Sequence, residues 1–96
     1  MTKDNTTPHV YAIPGDVFGE RSYDLKDEIM EIASQNVFII LDFAKVGIID
    51  SIGLGVLLNA HQELKKRGGK LQLFNPDETV RQLLEVTHLD RYIEIL

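Results

Sequence analysis

Residues 37–67 read VFIILDFAKVGIIDSIGLGVLLNAHQELKKR, and a change of period inside this stretch decides the fold. From Val37 to Leu41 the chain is a continuous apolar run of strand length, rich in β-branched residues, as in a strand covered on both faces. Asp42 to Gly47 form a bend, and Ile48 and Ile49 resume the apolar character. At Asp50-Ser51 the pattern becomes helical. Both residues are good N-caps, and the segment they open stops at Gly68-Gly69. A hydroxyl is therefore expected at the start of a helix, just beyond the carboxyl end of a buried strand, where open α/β sheets place their functional sites.

Toward the N-terminus, residues 1–8 are polar and end in a proline, which predicts a loose tail ahead of a domain spanning 9–96. His9 to Ile13 predicts a strand stopped by Pro14-Gly15, with Asp16 to Gly19 as the connecting loop. A helix follows from about Glu20 to Ser34, with Leu25, Ile29, Ile32 and Ala33 on one apolar face. Toward the C-terminus, Lys70 to Phe74 alternates as a strand. Asn75-Pro76-Asp77-Glu78 predicts a helix start, with Asn75 as cap, Pro76 at the first helical position and Glu78 reaching back to the cap amide. That helix is expected to bury Val80, Leu83 and Leu84 and to end near Thr87-His88, before a last strand from Tyr92 to Leu96. The succession predicts a small single-domain α/β fold, a mixed β-sheet with alternating helices.

Composition narrows the function. Ninety-six residues suit one domain, and 44% hydrophobic with 26% charged residues is an ordinary globular balance. The absence of cysteine excludes a disulfide framework, a thiol nucleophile and thiolate metal sites, and it fits a cytoplasmic protein. Ten basic against fifteen acidic residues, net −5, disfavour a nucleic-acid partner. The one basic cluster, Lys65-Lys66-Arg67, suits a helix C-terminus, where cations complement the dipole. No apolar stretch reaches spanning length, so direct membrane insertion is not expected, and residues 1–9 are too polar for a signal sequence.

Ser51 invites a hydrolase reading, which the local sequence argues against. A nucleophile elbow needs glycine two residues before the serine, where this chain has Ile49. His61 lies ten residues along the same helix, roughly 15 Å at the helical rise. Gly53-Leu54-Gly55 fails as a dinucleotide fingerprint because the third glycine falls at Leu58, and Gly68-Gly69-Lys70 lacks the frame of a phosphate loop. Asp42 and Asp50 are better explained as caps than as metal ligands. No catalytic residue, cofactor or metal site is predicted. Angular position along the helix places Gly53, Leu57, Ala60 and Leu64 toward the sheet, with Val56 at the edge. Ser51, Gly55, Leu58 and Gln62 fall opposite, with Leu54 and Lys65 at the border. Leu54 and Leu58 thus become candidates for apolar residues left in water beside a hydroxyl.

The run from Leu41 to Ile95, with its Asp-ended strand, the string Asp50-Ser51-Ile52-Gly53-Leu54-Gly55, a helix ending in Gly-Gly and a strand followed by Asn75-Pro76, resembles a STAS domain of the anti-sigma-factor antagonist type. The resemblance implies a phosphorylation-controlled partner switch. The unphosphorylated protein binds an anti-sigma factor that is also a serine kinase, is phosphorylated by it on Ser51, is released, and is restored by a PP2C-type phosphatase. Asp50 matches the motif aspartate and Asp42 the aspartate ending the preceding strand. The partner-binding set implied is Asp16, Asp42, Asp50, Ser51, Leu54, Gly55, Leu58 and Gln62. This chain departs from many relatives at Ile52, where they carry a second hydroxyl, and at Phe18, where they carry an aspartate. The alternative is a non-switching STAS module, a subunit or scaffold of a transporter or signalling complex.

Overall fold

The structure, a computed structural model, describes residues 7–96. Most of the expected tail falls outside the described residues; of the remainder, Thr7 accepts a hydrogen bond on its carbonyl from Asn36 Nδ2 at 2.9 Å. The elements run β1 (His9–Ala12), α1 (Glu20–Ala33), β2 (Phe38–Asp42), α2 (Ser51–Lys66), β3 (Lys70–Phe74), α3 (Glu78–Val86), a 3-10 turn (Leu89–Arg91) and β4 (Glu94–Ile95).

The expected mixed sheet is corrected: all four described strands pair in parallel, in the order β1-β2-β3-β4. Every connection carries a helical segment and none is a hairpin turn, so each strand returns in the same direction. Successive crossovers of one hand also keep the three helices on one face of the sheet. The register sets Ile39 between His9 and Leu71, and Leu41 between Tyr11 and Leu73. Ile39, Leu41, Leu71 and Leu73 are fully buried beneath the helices. The opposite face corrects the reading of a strand covered on both sides. There Phe38 and Ile40 are half-buried, and Lys70, Phe74 and Glu94 are exposed.

On α2 the predicted inner face is the observed one: Gly53, Val56, Leu57, Ala60 and Leu64 are buried. Gly53 is packed so closely that a Cβ there would lie 2.7 Å from Ile49 Cγ1 and 2.9 Å from Val17 Cγ1. The helix ends as the glycine pair predicts. Gly68, at φ 80°, donates to Lys65 O at 3.1 Å, and Gly69 donates to Leu64 O at 2.7 Å. These two bonds satisfy carbonyls of the last turn and direct the chain into β3.

Two boundaries differ from expectation. The cap of α3 is Asp77, whose Oδ1 accepts from Val80 N at 2.8 Å, rather than Asn75. Asn75 instead adopts φ 60°, a left-handed conformation that asparagine tolerates, and turns the chain as it leaves β3. Pro76 is consequently buried ahead of the helix. The final strand is shorter than Tyr92–Leu96 because Leu89–Arg91 winds into a 3-10 turn that inserts Leu89 and Ile93 into the core.

Candidate functional site

The loops after β1 and β2 are joined by short backbone pairing and by two aspartates that cross between them. Val17 pairs with Ile49 in a parallel bridge, with Val17 N donating to Ile48 O at 2.9 Å and Asp50 N to Val17 O at 3.2 Å. Asp16 Oδ1 accepts from Gly47 N at 2.8 Å and Ile48 N at 3.0 Å, so the first loop holds the second. Asp50 reciprocates: Oδ2 accepts from Gly19 N at 3.0 Å, while Oδ1 caps α2 by accepting from Gly53 N at 2.9 Å. Asp42 closes a tight turn, its Oδ1 accepting from Ala44 N at 2.9 Å. All three aspartates of the expected partner-binding set therefore direct an oxygen at backbone amides.

The amide of Gly19 first, then that of Gly53, lowers the Asp50 pKa below the ordinary carboxylate value. A carboxylate depressed in the folded state adds stability above its unfolded pKa, about 3.9, and that stability disappears as pH falls through the folded value. Urea unfolding between pH 5 and pH 2 should accordingly fall more steeply for wild type than for Asp50→Asn, whose amide nitrogen cannot accept from Gly19. Parallel curves would remove the clamp from the account.

Ser51 is the first residue of α2 and is exposed, and among the described residues its hydroxyl makes no hydrogen bond to the protein. Gly55 and Gln62 are exposed on the same helix, as expected. Leu54 and Leu58 are corrected: both are half-buried and packed against the core. The angle around a helix axis locates the sheet but not the neighbouring elements, and these leucines close the flank of α2.

The exposed apolar residues beside Ser51 come instead from the clamped loops and the first turn: Phe18, Ile48 (57% exposed) and Ile52. The alternation Ile48-out, Ile49-in is legible only once the bridge to Val17 is known. Ile52 and Gly55 also line a shallow groove of about 220 Å³ with Tyr23. Ile48 faces another, of about 390 Å³, shared with Val80, Leu83 and Val86 of α3. Among the described residues no cluster of three His, Asp or Glu is placed to hold a metal, and no helix is long and apolar enough to cross a membrane.

The chain's relatives agree with this architecture. It is 35% identical over 69 residues, 72% of its own length, to a Thermotoga maritima protein assigned to the anti-sigma factor antagonists. It is 32% identical over 71 residues, 74% of its length, to the anti-sigma-B factor antagonist of Bacillus subtilis. These matches span 59% and 65% of the two relatives. Among solved structures, the anti-sigma factor antagonist SpoIIAA in its unphosphorylated form superposes with a TM-score of 0.77 at 25% identity, covering 91% of this chain and 77% of that one. SpoIIAA in its phosphorylated form shares the fold, with a TM-score of 0.69 at 22% identity over 91% of this chain and 80% of the other. The STAS domain family matches residues 1–96, from end to end, and with that match and this fold the chain belongs to the STAS domain family.

Proposed function

We propose that this STAS domain is an anti-sigma-factor antagonist that works as a phosphorylation-controlled partner switch. In its unphosphorylated form it binds an anti-sigma factor with serine-kinase activity, and phosphorylation of Ser51 by that kinase releases it. A PP2C-type phosphatase resets the cycle. The observation that carries the reading is the placement of Ser51: a free hydroxyl on the first residue of a helix, within a surface bearing Phe18, Ile48 and Ile52. The relatives named as anti-sigma factor antagonists support the role, and one of them has been solved both with and without phosphate.

Physical chemistry supplies the mechanism. A phosphoserine carries about −1.5 to −2 charge and three strong acceptor oxygens. At the start of α2 it meets the positive end of the helix dipole, so the domain tolerates it. An apolar docking surface does not, because a partner covering Phe18, Ile48 and Ile52 must strip water from the dianion without pairing it. In this scheme the aspartates are supports. Asp50 fixes the helix start that presents Ser51, and Asp16 fixes the loop that presents Ile48.

A preformed complex with the anti-sigma kinase of the source cell should dissociate on addition of Mg-ATP and persist with a non-hydrolysable analogue. A complex that survives ATP would favour the second reading, a non-switching STAS module in a transporter or signalling assembly. That reading is motivated by the apolar Phe18 and Ile52, which suit permanent contact.

A further inference from the structure

Helix α2 carries two glycines, Gly53 and Gly55, and only the first has a reason inside the domain. Gly53 is buried where a Cβ would collide with Ile49 and Val17. Gly55 is exposed in the helix interior, and among the described residues a Cβ there would find no packing neighbour within 4 Å. It does not have a positive φ that would select glycine either. Glycine in a helix interior is destabilising relative to alanine, because its backbone loses more freedom on folding. The domain thus keeps an unfavourable residue at a position that its own packing leaves open. A bare backbone offers one thing a side chain would deny, which is close approach by another molecule.

The surroundings say what approaches. Gly55 lies four residues from Ser51, about 6 Å along the axis and on the same side of α2. A protein that brings a catalytic centre to the Ser51 hydroxyl therefore also covers Gly55. Gly55 lines the groove of about 220 Å³ between α1 and α2, with Tyr23 and Lys26 on one side and Ile52 and Asn59 on the other. Tyr23 is 56% and Ile52 39% exposed, so the groove has open apolar walls. Ile52 belongs also to the surface beside Ser51, which makes groove and phosphorylation site continuous.

We infer that the anti-sigma kinase lays a backbone segment against Gly55 in the α1–α2 groove, with an apolar side chain seated between Tyr23 and Ile52. The inference rests on the partner-switch reading and extends its docking surface from the start of α2 onto α1. A side chain at residue 55 would act as a spacer, lifting the kinase from α2 and its active site from Ser51. The glycine thus trades helix stability for the closeness of that contact.

The test compares wild type, Gly55→Ala, Gly55→Gln and Tyr23→Ala, as full chains, in thermal melts and in calorimetric titration with the purified anti-sigma serine kinase of the source cell. Both Gly55 variants should melt at or above the wild-type temperature, Gly55→Ala by about 4–8 °C, since helix propensity rises and the space is open. Affinity should move the other way. It should fall about tenfold for Gly55→Ala and about a hundredfold for Gly55→Gln, as overpacking of the contact grows, and about tenfold for Tyr23→Ala. Wild-type affinity in any of the three variants would overturn the inference. A Gly55 variant that binds weakly and also melts below wild type would assign the glycine to the domain's own structure and overturn it equally. The switch is read separately: a kinase that releases Ser51→Asp yet holds all three variants overturns the groove contact alone, whereas a kinase that does not bind wild type overturns the switch with it.

Discussion

Ser51→Asp is expected to weaken binding of the anti-sigma kinase about a hundredfold, about 2.7 kcal/mol, while Ser51→Ala binds like wild type. The asymmetry follows from where the charge is placed. Ser51 occupies the first turn of α2, where a carboxylate is favourable to the helix, so the variant domain should melt at or slightly above the wild-type temperature. Its neighbour Asp50 already points one oxygen at Gly19 N and the other at Gly53 N, so the added charge has little reason to disturb the loop. The penalty therefore falls on the interface, where an unpaired charge must be desolvated against Phe18, Ile48 and Ile52. Aspartate brings one charge and phosphate about two, so the mimic sets a lower bound on the effect of phosphorylation. Equal affinities for wild type, Ser51→Ala and Ser51→Asp would leave no role for charge at this position.

The second large effect concerns the joint between α2 and β3. A Cβ on Gly69 would run into the carbonyl oxygen and Cβ of Val37. That carbonyl cannot readily withdraw, because it accepts from Lys70 N at 2.9 Å as β3 begins to pair beside β2. Gly69→Ala is expected to destabilise by about 2–3 kcal/mol, a fall in melting temperature of roughly 10–20 °C for a domain of this size. Gly68→Ala provides the internal control. Space is open around it, and only its φ of 80° resists a side chain, so the expected loss is about 1 kcal/mol. If thermal melts placed Gly68→Ala below Gly69→Ala, the close approach of the Val37 backbone would not be what selects glycine at residue 69.

These residues also mark what a single sequence can reveal. Asp50-Ser51 stood out because a strand-like period gives way to a helical one at a residue able to cap, and the Asp50 bond to Gly53 is that local logic realised. Gly68-Gly69 was legible for the same reason. Features that depend on distant chain segments were not. The second bond of Asp50, to Gly19, and the return clamp from Asp16 to Gly47 and Ile48 join residues about thirty positions apart. The sequence offers Asp50 as a cap and Asp16 only as a loop acid, and neither cross-loop bond has a local signal. Asn75 offered the right side chain for a cap, yet leaving β3 required a positive φ there, and Asp77 took the capping role. Leu54 and Leu58 are half-buried against the core, which the wheel could not show because it carries no record of what packs beside the helix.

In the proposed switch Ser51, among all the hydroxyls of this chain, is the one a partner kinase modifies. Incubating the purified protein with ATP and the serine-kinase fraction of its source cell, then mapping phosphate by mass spectrometry, tests it directly. A single phosphate on Ser51, absent from Ser51→Ala, is the expected result. An unmodified chain, or phosphate placed elsewhere and retained in Ser51→Ala, would contradict it.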